Sequence, residues 1–445
     1  MSTKAEYFSS MPASKAVIFN AIPALVSELM LLVYNLADTF FIAQTGDAYQ
    51  VAAVSIATPI FLLMLSMSII FCVGGMSCVS RALGAREFQR AKNFCAFAIW
   101  SSVIAGFILP IMLVLFMNAI LRFIGASSET FGFTRDYLSI VSLTGPFFMF
   151  SICSTGVMRA EGQARRAMTG QVIGNLANII LDPIMILNMN LGITGAAIAT
   201  VLGSMIGAAY YASYFVMGKS ELGINIKNFK AADGIARGIF EIGIPACLDP
   251  VLMSVSQIIL NSMMTAYGDM AVAAGGVAMK VNQMATLAAM SCGQGVQPLL
   301  GFCVGAKTWK RYDELFSFAM KFTITMVLSV SALCFVFSRE IVGMFLAVPE
   351  ALNYAVNFNR ILLSSAAAFA SFFIIINALQ AMGAARASFV LSVCRQCVIY
   401  VPTMCVLNFF FGEYGLVCAL PVTEVLSLIQ TIILYRKELH VLRNS

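Results

Sequence analysis

The chain has 445 residues, of which 60% are hydrophobic and 11% are charged, with a net charge of +6 and a mean hydropathy of +0.89. Soluble globular proteins average roughly 25% charged residues, so this chain must present much of its outer surface to lipid. The composition excludes a secreted, cytosolic or disordered protein. The positive charge is small and forms no basic tract, so we expect no nucleic-acid partner.

Apolar stretches long enough to cross a bilayer recur along the whole chain. A spanning helix needs about 20 apolar residues, and breaks at charged, Gly-rich and Pro-rich positions leave twelve such stretches. The predicted spans are residues 16–43, 51–80, 93–118, 136–158, 166–190, 193–217, 238–264, 271–304, 315–338, 354–382, 386–411 and 414–435. They predict an all-α integral membrane protein with twelve transmembrane helices.

Lys and Arg concentrate in alternate connections between these spans, for example in residues 81–92 and 219–237. Positively charged connections remain on the cytoplasmic side of a membrane. This bias predicts a multi-pass protein of the inner or plasma membrane, with both termini in the cytoplasm.

The second half of the chain repeats the first at a constant offset in residue number. The matched pairs are Gly84 with Gly305, Arg86 with Lys307, Gly162 with Gly383 and Arg165 with Arg386. A constant register over distant regions indicates duplication of a six-helix unit, and an even number of helices makes the two halves parallel. We therefore predict two lobes, residues 1–218 and 238–445, joined by a cytoplasmic linker, 219–237.

Acidic residues within predicted spans are candidates for function, because a charge at the bilayer centre costs at least ~2.5–3.5 kcal/mol. They are Glu28, Asp38, Asp182, Asp249 and Glu424. Asp249 lies about ten residues into its span, and Glu424 is similar, so we interpret both as residues near a helix end that reach water.

Asp38 and Asp182 are predicted at one depth, ~9–12 Å below the outer surface at 1.5 Å per residue. Asn178 precedes Asp182 by four residues and shares its helix face. Thr200 reaches the same depth in the sixth span. Hard oxygen ligands suit a small cation such as Na⁺, and two close carboxylates in a dry site suit proton uptake. The alternative is a polar cluster that holds helices together.

Glu28, Asn35 and Asp38 fall within an arc of about 80° on the first helix, at 100° per residue. This polar stripe, with the adjacent Tyr34, is predicted to face the interior and to contribute to a substrate cavity. Lys280 is a further candidate from the other half of the chain, where it either pairs with an acid or reaches the outer surface.

Four segments resemble the multidrug and toxic compound extrusion (MATE) transporters, and the prokaryotic branch with DNA-damage-inducible (DinF) and MepA-like members fits best. They are YNLADTFFI at 34–42, SRALGA at 80–85, NIILDP at 178–183 and GITGAAIAT at 192–200. The resemblance implies two six-helix lobes that form a V around a central cavity. It also implies that drug efflux is driven by inward Na⁺ or H⁺, with Asp38, Asn178, Asp182 and Thr200 as the first-lobe cation or proton site.

The sequence therefore favours a secondary antiporter that exports amphipathic or cationic organic compounds in exchange for Na⁺ or H⁺. We expect a monomer without a cofactor, with a small organic substrate and the lipid bilayer as its partners. One alternative is a lipid-linked precursor flippase of the same superfamily, whose cavity would be more basic to hold phosphates. A remote alternative is a membrane-embedded enzyme, which would need a nucleophile–base pair or a metal cluster.

Overall fold

The computed structural model describes residues 11–124, 127–346 and 349–444, apart from the side chains of Ala48 and Phe123. The described residues are almost entirely helical and include no strand. The helices of the first half are α1 Ala13–Ala43, α2 Ala48–Gly84, α3 Phe88–Leu115, α4 Met117–Phe123, α5 Ser128–Val141, α6 Gly145–Ala160, α7 Ala164–Pro183 and α8 Gly192–Val216. Those of the second half are α9 Ile235–Met264, α10 Asp269–Gly305, α11 Trp309–Val336, α12 Ser338–Gly343, α13 Pro349–Leu363, α14 Ala366–Met382, α15 Ala385–Val393 and α16 Val401–Asn444.

Ten helical segments among the described residues are long and apolar enough to cross a membrane. The pair α13 and α14, bent by 45°, adds an eleventh span. The last of the ten, Ala385–Asn444, is interrupted at Gly412, whose backbone (φ 58°, ψ −137°) is not helical. Since this break divides that segment into two helices, the described part of the chain has twelve spans, and the predicted all-α membrane fold is confirmed.

Two predicted spans are each built from two helices. Residues 136–158 fall on α5 and α6, which meet at a short turn over Ser142–Thr144. Residues 354–382 fall on α13 and α14, whose axes differ by 45°. The breaks fall at small polar residues, Ser142 and Thr144 in the first span and Ser364 and Ser365 in the second, inside otherwise apolar stretches, so composition alone predicted one helix in each place.

The repeat is visible in the backbone as well as in the sequence. Helix α10 begins and ends at the same offset from α2 that separates Gly305 from Gly84, and α11 stands in the same relation to α3. Arg86 (φ 60°) and Lys307 (φ 54°) adopt the same left-handed conformation after the equivalent helices. Such a conformation is uncommon for residues other than glycine, so its recurrence at one offset supports duplication of a six-helix unit.

The described chain forms two compact units. Unit 1 contains residues 26–243, and unit 2 contains residues 11–25 together with 244–444. The predicted linker packs within unit 1: Trp100 Nε1 donates a hydrogen bond to the Ile224 carbonyl at 3.0 Å, and the ring of Phe97 stacks on Phe229 with centroids 5.4 Å apart. Each unit has its own apolar core.

Candidate cation and substrate site

Unit 1 contains a cavity of about 480 Å³. Helices α1, α2, α5, α6, α7 and α8 contribute its walls. Four glycines on the two facing helices α7 and α8 make room for it: Gly170, Gly174, Gly203 and Gly207. Because these residues have no side chains, the two helices approach closely and leave free volume on the cavity side.

Three of the four residues predicted to bind a cation line this cavity, namely Asp38, Asn178 and Thr200. All three are buried. Asp38 lies on α1, and its Oδ1 has no hydrogen-bond partner among the described residues. A buried carboxylate oxygen without a donor is costly, so this atom is well suited to accept a proton or to coordinate a cation.

Asp182, the fourth predicted residue, is fully buried and is not among the lining residues. It lies beside Asn178, whose amide, oriented as its neighbours require, donates to Asp182 Oδ2 at 3.0 Å and accepts from the Thr200 backbone N–H at 3.1 Å. Asp182 Oδ1 has no hydrogen-bond partner in the described part of the chain. Asn178 thus lines the cavity and at the same time bonds to Asp182, which lies behind the cavity wall.

The backbone next to Asp182 is irregular. Helix α7 ends at Pro183, and the following residues Ile184–Asn188 form wider helical turns in which the Met189 N–H bonds to the Ile184 carbonyl at 2.9 Å. A proline has no N–H to donate, which removes one helical bond at this point. Wide turns of this kind often occur at functional sites.

The residues predicted to contact substrate fall into two groups. Tyr34 and Asn35 line the cavity together with Asp38. Glu28 is half-buried in unit 1 and is not a lining residue. Lys280 lies in unit 2 with an exposed side chain and is not among the lining residues. The structure therefore does not bring all four side chains together.

Sequence reasoning missed several polar residues of the cavity wall. Gln171, Asn175 and Ser204 all line it, as do Tyr137 and Thr144. A signal for the first two was present, because residues 171, 175, 178 and 182 follow one another at intervals of four, three and four, which places them on one face of α7. The contribution of Tyr137 depends on how α5 packs, and the linear pattern does not contain that information.

Contrary to the prediction, Glu424 does not reach water, and Asp249 is mostly buried. Glu424 is 1% exposed and Asp249 14% exposed, and both lie beside the buried guanidinium of Arg395. The prediction was wrong because it considered each helix separately, whereas the pairing partner comes from another helix. Among the described residues, no group of three or more His, Cys, Asp or Glu side chains is arranged to hold a metal ion.

The MatE family model matches the chain twice, over residues 23–184 and 245–406. The two matches are equal in length, fall on the two halves of the repeat described above, and together cover more than half of the chain. The chain belongs to the MatE family. Members of this family are transporters, so this MatE protein is a multi-pass membrane transporter and not an enzyme.

Relatives and solved structures agree with the assignment. The MatE chain is 28% identical over 420 residues to multidrug export protein MepA of Staphylococcus aureus (strain NCTC 8325 / PS 47), covering 94% of this chain and 93% of the relative. It is 29% identical over 422 residues to MepA of Staphylococcus haemolyticus (strain JCSC1435), covering 94% and 92%. A crystal structure of MATE in the straight conformation is similar over 100% of both chains, with 22% sequence identity and a TM-score of 0.95.

Proposed function

We propose that this MatE protein exports amphipathic, cationic organic molecules in exchange for Na⁺ or H⁺. The observation that carries the proposal is the convergence of Asp38, Asn178 and Thr200 on one cavity, with Asp182 bonded to Asn178 behind its wall. The relatives named as multidrug export proteins support the same transport function.

The chemistry of the cavity suits a substrate that is both apolar and positively charged. Its lining residues include the aromatic side chains of Phe61, Tyr137 and Phe148, and the carboxylate of Asp38. No Lys or Arg is among these lining residues. A lipid-linked phosphate would need basic donors in this position, so the cavity favours an organic cation over the substrate of a flippase.

Exchange follows from competition for the same negative charge. When Na⁺ or H⁺ neutralises Asp38 and Asp182, an organic cation loses its counter-charge in the cavity and is released. Each ligand can shift the protein between conformations only through its different affinity for them. We propose that the two lobes, residues 1–218 and 238–445, rock about the linker 219–237, and that cation binding shifts or bends helix α1. Both termini lie in the cytoplasm in this proposal.

Drug resistance in cells tests this function. Cells that express the wild-type protein should tolerate ethidium better than cells that express Asp38→Asn or Asp182→Asn, because an amide cannot hold a proton or balance a cation as a carboxylate does. Membrane levels of each variant are measured by immunoblotting. Asp136→Asn is the matched control, because Asp136 is an exposed acid of unit 1 outside the cavity. Normal resistance in either cavity variant would contradict the proposal.

A further inference from the structure

Unit 2 contains a buried cluster of three charged side chains. Arg395 Nη2 donates to Glu424 Oε1 at 2.7 Å, and Arg395 Nη1 lies 3.6 Å from Asp249 Oδ1. The side chain of Arg395 is 3% exposed. Its guanidinium also packs over the rings of Phe372 and Phe369, at 4.6 and 5.4 Å from their centroids. These contacts hold the positive charge in one position between side chains of α9, α14 and α16.

The cluster contains one positive group and two acids. Buried charges are costly unless they are paired, and here a single guanidinium serves both carboxyl groups. Unit 1 likewise brings two acids, Asp38 and Asp182, to one site. Two carboxylates with one bound monovalent cation would give unit 1 the same charge balance as the cluster of unit 2. Among the described residues, Arg395 is the only cationic side chain that forms a salt bridge with Asp249 or Glu424.

The internal repeat relates the two sites. Arg395 is the counterpart of Gly174 at the same offset that relates Ala164 to Ala385 at the start of the same helices. Near the last helix the offset is shorter by one position, as the pairs Gly192 with Gly412 and Gly195 with Gly415 indicate. Glu424 is then the counterpart of Ser204. Gly174 and Ser204 both line the cavity of unit 1.

The two units therefore use equivalent positions in opposite ways. In unit 1 a glycine and a serine face the free volume of the cavity that Asp38 also lines. In unit 2 an arginine and a glutamate occupy the equivalent positions and bond to each other. Arg395 lies in the wide helical turns of Cys394–Tyr400, whereas the equivalent residues of unit 1, 173–179, belong to the regular helix α7. Tyr400, buried on the same segment, is the other titratable group beside the cluster, near Glu424 and Arg395.

We propose that Arg395 is a tethered cation, and that Asp249 and Glu424 form a latent site for Na⁺ or H⁺ which this arginine keeps closed. The inference rests on the proposed function, since it extends cation binding from the two acids of unit 1 to the two buried acids of unit 2, Asp249 and Glu424. It assigns all exchange of the coupling ion to unit 1 and makes Arg395 the residue that determines how many cations are exchanged in one cycle.

The experiment measures thermal unfolding in detergent of variants that already carry Asp38→Asn and Asp182→Asn, so that the two carboxylates of the unit 1 site are removed. Na⁺ is exchanged for choline at constant ionic strength, at pH values from about 5.5 to 8.5. With Arg395 intact, we expect a Tm that is independent of the cation. With Arg395→Met added, Na⁺ or low pH should raise the Tm by at least about 3 °C, because a ligand that binds only the folded state stabilises it.

The matched control adds Asp249→Asn and Glu424→Gln to Arg395→Met, which removes all three charges and should abolish the cation-dependent shift. If Arg395→Met folds without a shift larger than that of this control, the proposal is wrong. It is also wrong if Arg395→Met cannot be recovered folded under any of these conditions while the control variant can, because no cation then replaces the arginine. Recovery only in Na⁺ or only at low pH supports it.

The two proposals can fail separately. The comparison of the wild type with Asp38→Asn/Asp182→Asn tests cation binding in unit 1 alone, whereas the comparison of Arg395→Met with its charge-free control tests unit 2 alone. A cation-dependent Tm in Asp38→Asn/Asp182→Asn with Arg395 intact would overturn the tethered-cation proposal even if unit 1 behaves as expected.

Discussion

Asn178 donates a hydrogen bond to Asp182, one helical turn further along α7, at 3.0 Å from the carboxylate oxygen Oδ2. This contact gives a buried acid a fixed donor while Asn178 itself lines the cavity. The hydrogen bond links the cavity to Asp182, which does not line it. It therefore predicts that the Asn178 amide is needed for full cation binding.

Asn178→Ala should weaken the response to the coupling ion. A hydrogen bond to a charged group contributes about 1.5–3 kcal/mol, so the cation concentration for half-maximal export should change by roughly 10- to 150-fold. The measurement is dye export from liposomes over a range of Na⁺ concentration and pH. Asn175→Ala is the control, because Asn175 lines the same cavity on the same helix and its amide nitrogen has no described partner. Equal effects of the two changes would disprove a specific role for Asn178.

The close approach of α7 and α8 predicts different costs for two neighbouring glycines. A Cβ at Gly203 would lie 2.9 Å from both Asn178 Cβ and the Gly174 carbonyl oxygen, whereas a Cβ at Gly207 would lie 3.5 Å from the nearest atom, the Gly170 oxygen. Gly203→Ala should therefore displace Asn178, lower stability by about 1–3 kcal/mol and reduce export. Gly207→Ala should leave both nearly unchanged. Thermal unfolding and dye export measure the two effects, and a fully active Gly203→Ala protein would contradict this packing.

A second pair of glycines tests the packing of α2 against the start of α9 within unit 1. A Cβ at Gly243 would lie 2.1 Å from the Ile70 carbonyl oxygen, where backbone would have to move, but a Cβ at Gly238 would lie 3.4 Å from Cys78 Sγ. We expect Gly243→Ala to lower the Tm clearly and Gly238→Ala to change it little. Similar Tm values for the two variants would show that the helices do not meet as described.

The attachment of the linker to unit 1 predicts its resistance to protease. Glu161 is buried and accepts hydrogen bonds from the Tyr214 hydroxyl at 2.8 Å, the Ser220 hydroxyl at 2.5 Å and the Leu222 backbone N–H at 3.1 Å. Glu161→Ala removes an acceptor shared by all three donors, so trypsin should cleave at Lys219 and Lys227 at least about ten times faster, because local opening becomes easier.

The control for the linker experiment is Glu221→Ala, which changes an exposed acid in the same segment. This variant should be cut at the wild-type rate. Unchanged cleavage of Glu161→Ala would mean that other contacts, such as the bond from Trp100 to Ile224, are sufficient to hold the linker.

Much of this fold could be predicted because the bilayer imposes a length on every spanning helix. The predicted span 193–217 and the observed α8, Gly192–Val216, differ by one residue at each end. The break between Leu363 and Ala366 was not predictable in the same way, because the two intervening serines lie within an otherwise apolar stretch that is long enough to span the bilayer as one helix.

The candidate sites, like the fold, could be predicted only in part from the sequence. Depth along a helix placed Asp38, Asn178 and Thr200 at one level, and these three line one cavity in the structure. Depth does not specify in which direction a side chain points around the bundle, so it did not reveal that Asp182 lies behind the cavity wall. It also left Arg395 without a partner, since Glu424 is 29 residues further along the chain and only the packing of helices brings the two together.

Dye transport by purified protein in liposomes tests the central claim most directly. Imposed Na⁺ and pH gradients are applied in separate experiments, and ethidium movement is followed with the wild type and with Asp38→Asn, Asp182→Asn and Asp136→Asn. We predict that one of the two gradients drives dye transport by the wild type and by Asp136→Asn, and that neither gradient drives transport by the two cavity variants. Gradient-driven transport by Asp38→Asn or Asp182→Asn at the wild-type rate would contradict the account.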